Sequence, residues 1–137
     1  MARRVLARHH VIELEGCEAR RSDYPVFVGR LVKRLCAEAK LNVVRRVRHQ
    51  FAPHGLTILF VLRESHLAYS SLPERSYAVL DLFRCGEGDG LSAAVARFAL
   101  GLGARRARRR NFPVGPSLRP FSSEAVSGAL KRAGPTR

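Results

Sequence analysis

The sequence predicts an α+β fold: a two-layer sandwich in which two helices cover one face of a mainly antiparallel sheet. Three observations lead there. Most apolar runs are short or alternate with polar residues, as strands do. Only two segments carry apolar residues at helical spacing. The order is strand, helix, strands, helix, strand, without the regular alternation of a parallel βαβ architecture. Residues 5 to 15 alternate and then run apolar through Val11, Ile12 and Leu14 before Gly16, the pattern of a first strand ending in a turn. A helix follows, with Ser22 or Asp23 as N-cap, Pro25 in its first turn, and Val28, Leu31, Val32, Leu35 and Ala39 forming its apolar stripe. Asn42 closes it. Residues 43 to 50 are basic and β-branched, a second strand; Pro53 and Gly55 mark the next turn. The continuous apolar run Leu56 to Leu62 is the kind expected of a central strand buried on both faces. Ser76 to Arg84 is expected to place Tyr77, Val79, Asp81 and Phe83 on one face and Ala78, Leu80 and Leu82 on the other. After the glycine-broken loop Gly86 to Gly90, Leu91 to Leu102 forms the second helix through Val95, Phe98, Ala99 and Leu102. Residues 105 to 112 form an outer strand whose charges face water. The domain is expected to span residues 1–112, with 113–137 a flexible C-terminal tail rich in Pro and Ser that holds one short helix at Ser123 to Arg132. There is no internal repeat.

Composition narrows the function. At 137 residues and 46% hydrophobic content the chain is one domain able to bury a core without staples. No apolar run reaches the ~18–20 residues that cross a bilayer. The N-terminus, Met1 to Arg8, lacks the apolar core of a secretory signal. Cys17, Cys36 and Cys85 are odd in number and widely spaced, which argues against a disulfide framework and a zinc site and fits a reducing, cytoplasmic setting. No metal-ligand cluster, phosphate-binding glycine loop or Ser/His/Asp arrangement is visible. The formal charge of +14 raises polyanion binding as a function. Against it, the arginine cluster at 105–110 has no interleaved aromatic to stack on bases, so a solvated basic face with non-specific polyanion affinity is the simpler reading.

The most specific stretch is Glu64-Ser65-His66-Leu67, flanked by His49-Gln50-Phe51-Ala52-Pro53-His54-Gly55 before it and Leu72-Pro73-Glu74, Tyr77 to Phe83 and Cys85-Gly86 after it. In this order and spacing the residues resemble the short prokaryotic S-adenosylmethionine decarboxylase proenzyme family, over residues 8 to about 112. The resemblance implies self-cleavage between Glu64 and Ser65. The Ser65 hydroxyl would attack the Glu64 carbonyl, and elimination would leave a pyruvoyl group in place of the serine. That cofactor would hold the substrate amine as an imine and accept the electrons left by carbon dioxide. By the same resemblance Cys85 would be the proton donor, Phe51 would stack on the adenine, and Glu74 would accept from the ribose hydroxyls. On residue chemistry alone a free cysteine is more often a buried small hydrophobe, Phe51 a core residue and Glu74 a solvated turn residue. Asp81, in a half-buried strand, needs a partner; Cys17, Cys36, His9 and His10 read as structural.

Three positions depart from the family pattern. Ser70 stands where the family has a processing histidine, and a hydroxyl is a poor base near pH 7. Leu72 stands where a tryptophan completes the adenine sandwich. Thr57 replaces a serine involved in processing and keeps its hydroxyl. His66 would point to the face opposite Ser65, and His54 reads as a solvent-facing turn residue rather than a substitute base. Four readings stay open: a decarboxylase of polyamine synthesis acting on S-adenosylmethionine; the same fold switched to ornithine or arginine; a non-cleaving homologue paired with an active paralogue; a basic polyanion-binding module. The resemblance further implies a homodimer of processed protomers.

Overall fold

The computed structural model describes residues 5–86 and 90–116. Six strands, β1 (Ala7–Glu15), β2 (Val43–Gln50), β3 (Leu56–Leu62), β4 (Ser65–Leu72), β5 (Tyr77–Cys85) and β6 (Arg106–Val114), form one sheet in the order β2-β3-β4-β5-β1-β6. Every neighbouring pair is antiparallel. A four-residue helix α1 (Ala19–Ser22) precedes α2 (Pro25–Glu38), and α3 (Leu91–Gly101) precedes β6. The expected α+β sandwich is therefore present.

The period-2 pattern of the strands decides the layers. Leu56, Ile58, Phe60 and Leu62 of β3, Leu67 and Tyr69 of β4, Ala78, Leu80 and Leu82 of β5, and Ile12 and Leu14 of β1 are buried in one cluster. Val28, Val32 and Leu35 of α2 and Val95, Phe98 and Leu102 from the α3 segment close it. Burying each large aliphatic side chain contributes about 1.5–3 kcal/mol, which dwarfs the propensity differences of the surface positions. Tyr69, fully buried, donates its hydroxyl to the Ser22 carbonyl at 2.6 Å and packs edge-on against Phe98. Burial pushes its pKa far above the ordinary phenol value.

Several local expectations change. Ser22 and Asp23 are not the caps of α2: Ser22 ends α1, and Tyr24 is the N-cap residue, with no side-chain cap. Asp23 instead ties the turn at 51–55 to the sheet, accepting from the Gly55 N–H at 3.0 Å and the Ser71 hydroxyl at 2.9 Å. The helix stops at Glu38 rather than near Asn42, and Lys40 takes a positive φ there. β3 is central but buried on one face only, because Leu59 and Val61 remain 49% and 46% exposed. A continuous apolar run thus marks a strand whose second face is bare. The segment 65–72, given no strand assignment from sequence, is β4.

β6 is an edge strand as expected and runs on to Val114. Its arginines do more than face water: Arg106, Arg108 and Arg110 pair with Glu13 and Glu15 of β1 at 3.3–3.8 Å. Exposed pairs of this kind contribute little each, about 0–1 kcal/mol, but they offset part of the self-repulsion of the basic edge. The tail beyond residue 116, with the helix expected at 123–132, lies outside the described residues. Among the described residues no helix is long and apolar enough to cross a membrane, and no group of His, Cys, Asp and Glu is arranged to hold a metal ion.

Candidate active site

Residues 63 and 64 join β3 to β4 as the tightest connection in the sheet, with Leu62 directly opposite Ser65. Glu64 there has φ 66°, the left-handed region that costs a residue with a Cβ roughly 1–2 kcal/mol. Strain of this kind persists where the surroundings hold it. One anchor is the Arg63 N–H on the Asn42 carbonyl at 3.0 Å. A second contact brings the end of β5 to the same turn: Cys85 Sγ lies 3.0 Å from the Glu64 carbonyl oxygen and donates to it. Cys85 is exposed. A cavity of about 270 Å³ opens beside this turn, lined by Lys40, Asn42, Arg63, Glu64, Ser65 and Cys85 among others. The other two cysteines are buried, and burial alone pushes the Cys36 thiol up to about 11, so both act as packing groups.

The remaining motif residues collect at the opposite end of β4. Five residues of antiparallel strand separate Ser65 from Ser70, roughly 17 Å. There the open face of the sheet carries a cross-strand row: His49 lies opposite Thr57, and Thr57 opposite Ser70. The Thr57 and Ser70 hydroxyl oxygens are 3.5 Å apart. Phe51, half exposed, packs edge-on against His49 with centroids 4.6 Å apart. Leu72 ends β4, 40% exposed. Glu74, in the one-turn helix after β4, meets His54 Nε2 at 3.1 Å, so His54 is engaged with a carboxylate rather than simply facing solvent. These two residues, with Tyr24, Asp23, Arg20 and Pro73, line a cavity of about 670 Å³.

Within one chain the structure thus brings Glu64, Ser65 and Cys85 together, gathers Thr57, Ser70, Phe51, Leu72 and Glu74 elsewhere, and does not join the groups. Between them the open face holds His66 stacked on Phe83, and Asp81, whose partner is His9. Two residues gain interest from position alone. Tyr24 offers a 57% exposed ring on the wall that carries Glu74. His49 supplies an imidazole two strands from Ser70, about 10 Å by strand spacing. His49 stands within the quoted motif, but its row with Thr57 and Ser70 depends on strand register, which a linear reading does not give.

A family model described as S-adenosylmethionine decarboxylase matches residues 8–114, from the first strand through the last. The chain belongs to the S-adenosylmethionine decarboxylase family. It is 31% identical over 108 residues to the S-adenosylmethionine decarboxylase proenzyme of Parasynechococcus marenigrum, covering 79% of this chain and 84% of that protein. It is 33% identical over 102 residues to the protein of the same name from Pseudomonas aeruginosa, where the match spans 74% of this chain and 64% of the relative. The fold is that of the adenosylmethionine decarboxylase from Aquifex aeolicus, at a TM-score of 0.73 and 22% identity over 88% of this chain and 99% of that one. The S-adenosylmethionine decarboxylase match contains both groups of candidate residues, since each lies between positions 8 and 114.

Proposed function

We propose that this chain is a self-processing decarboxylase of polyamine synthesis that acts on S-adenosylmethionine, with a pyruvoyl group made from Ser65. The observation that carries the reading is the Cys85 thiol on the Glu64 carbonyl oxygen, on a turn held at positive φ. Attack by Ser65 Oγ on that carbonyl carbon moves charge onto the oxygen facing Cys85, where a hydrogen-bond donor is most useful. The C–N bond then breaks, the serine nitrogen is freed as an amine, and Glu64 is held as an ester. Loss of the Ser65 α-proton expels Glu64 as a carboxylate, and hydrolysis of the dehydrated remnant releases ammonia. The pyruvoyl group supplies an electron sink for the departing carboxylate of the substrate. Cys85 is then positioned to return a proton. Glu74 provides a carboxylate for vicinal hydroxyls, and Tyr24 on the same wall provides a flat face where Leu72 does not.

The separation of the two residue groups supports a homodimer. A two-fold axis across the open face would lay one protomer's Thr57 and Ser70 end over the other's Ser65 and Cys85 end, twice. That face exposes Val47, Leu59 and Val61 on the neighbouring strands β2 and β3, apolar side chains of the kind that mark an interface.

Release of labelled carbon dioxide tests the substrate. S-adenosylmethionine, ornithine and arginine are offered side by side, and only the first is expected to be turned over. Turnover of ornithine or arginine alone would transfer the proposal to a substrate-switched enzyme. No release from any of the three would favour a partner subunit. Ser70→His is expected to speed cleavage about tenfold or more, because it restores a base whose contribution is typically ~10²–10⁴-fold. A time course of fragment appearance on gels checks this, and an unchanged rate would remove position 70 from processing.

A further inference from the structure

The arginines of the two edge strands differ in what engages them. On β6, Arg106, Arg108 and Arg110 pair with Glu13 and Glu15 of β1. On β2, Arg46 and Arg48 lie opposite Phe60 and Ile58 of β3, whose side chains are buried, so the register turns both arginines toward the helix-covered side. Every residue of β2 is exposed, and the two side chains reach past the core toward α2. A cleft of about 250 Å³ lies between the two elements, with Arg30 and Lys33 of α2 on one bank and Arg46 and Arg48 on the other. Among the described residues, none of these four side chains makes a hydrogen bond or ion pair. Arg30 and Lys33 are neighbours on the helix surface, and Arg46 and Arg48 stand roughly 7 Å apart along one strand face, so the four cations repel one another until an anion enters. Gly29 is an independent sign that the cleft is built around a guanidinium. It is buried in the interior of α2, where glycine weakens a helix relative to alanine. Apart from its chain neighbours and its own helix backbone, a Cβ there would meet one atom within 4 Å among the described residues, Arg46 Nη1 at 3.0 Å. The missing side chain makes room for Arg46.

We propose that this cleft binds a short chain of phosphate groups, whose oxygens are held by Arg30, Lys33, Arg46 and Arg48. Guanidiniums offer paired N–H donors to phosphate oxygens, and the lysine adds a point charge. Two cations on each bank, spaced by about 5–7 Å along their elements, suit neighbouring phosphates better than a single one. No aromatic side chain lines the cleft among the described residues, so bases have no stacking platform and the phosphates alone are recognised. None of the four cations belongs to either group of candidate catalytic residues, and the site does not depend on the decarboxylase reading.

The test is calorimetric titration of the purified protein with tripolyphosphate at about 0.15 M salt, where charges beyond about 8 Å are screened. Saturable binding at one site per chain is expected. Inorganic phosphate and a thymidine pentanucleotide are expected to bind at least about tenfold more weakly, each forgoing one or more charge-assisted hydrogen bonds. Arg46→Gln is expected to weaken tripolyphosphate binding about tenfold, the loss of one such bond. Arg106→Gln removes the same charge from β6, five strands away and roughly 24 Å by strand spacing, and is expected to change affinity less than about twofold. Gly29→Ala is expected to raise the urea midpoint of unfolding while weakening tripolyphosphate about threefold, because it displaces Arg46 from good hydrogen-bond geometry. A glycine that served helix packing alone would not couple those two effects, and unchanged affinity in Gly29→Ala would overturn the seating of Arg46. Absence of saturable binding by the wild-type protein would overturn the proposal. So would equal weakening by Arg46→Gln and Arg106→Gln, which would mean general attraction of anions to a basic surface. Tighter binding of the pentanucleotide than of tripolyphosphate would make this a nucleic-acid surface and contradict recognition of phosphates alone.

Discussion

Ser65→Ala is expected to give a single intact chain with decarboxylation reduced to background. The reason is chemical rather than structural. Alanine has no hydroxyl to attack the Glu64 carbonyl, so neither the ester nor the pyruvoyl group can form, and no other residue supplies an electron sink. The fold should be unaffected, since Ser65 is only half-buried at the start of β4 and no core residue is changed. Circular dichroism and a urea midpoint close to wild type would establish that the loss is catalytic. Turnover by this variant at the wild-type rate would remove the pyruvoyl assignment altogether.

Cys85→Ala separates two roles that one thiol is asked to play. In processing it donates to the Glu64 carbonyl oxygen, and a weak S–H donor contributes on the order of 1 kcal/mol, so cleavage should slow about fivefold and still reach completion. In turnover it is proposed as the proton donor, and loss of a positioned acid typically costs ~10²–10⁴-fold. The expected result is a mature, cleaved variant with kcat reduced by at least ~10²-fold. The measurement is kcat on protein first allowed to cleave fully, with cleavage followed separately by mass. Undiminished product formation would take Cys85 out of the reaction. Uncleaved protein would place its main role in processing.

How much of this was legible in the sequence depends on the scale of the feature. The alternation of Tyr77 to Phe83 is enough to orient β5, because period 2 in a half-buried strand reports the faces directly. The stripe of α2 is equally plain, but its start is not. Asp23 looks like a cap from its position, and only the fold reveals that its carboxylate is engaged by Gly55 and Ser71, residues distant in the chain. β4 escaped assignment because Ser65, His66, Ala68, Ser70 and Ser71 dilute its apolar signal. What makes it a strand is pairing with β3 and β5 on both sides, a tertiary effect that overrides propensity. The uninterrupted run of β3 read as burial on both faces, whereas Leu59 and Val61 lie on a bare face, where an apolar strip suits a partner as well as a core.

The candidate site shows the same division. Glu64, Ser65 and Cys85 were picked out by their motif. That the thiol meets the Glu64 carbonyl follows from β5 ending beside the β3–β4 turn, which spacing along the chain does not reveal. The resemblance also gives the Thr57 and Ser70 positions a part in that cleavage. Strand geometry places these roughly 17 Å away. His10 read as structural, and only the folded chain shows that its buried Nδ1 has no hydrogen-bond partner among the described residues.

The central claim is that the chain cuts itself between Glu64 and Ser65 and keeps the remnant as a cofactor. Intact mass of the purified protein under denaturing conditions tests this most directly. The account predicts two fragments: residues 1–64 ending in a free carboxylate, and a second beginning at position 65 whose mass is one ammonia below that of a serine-started chain. A single uncleaved chain of full mass after prolonged incubation would contradict it.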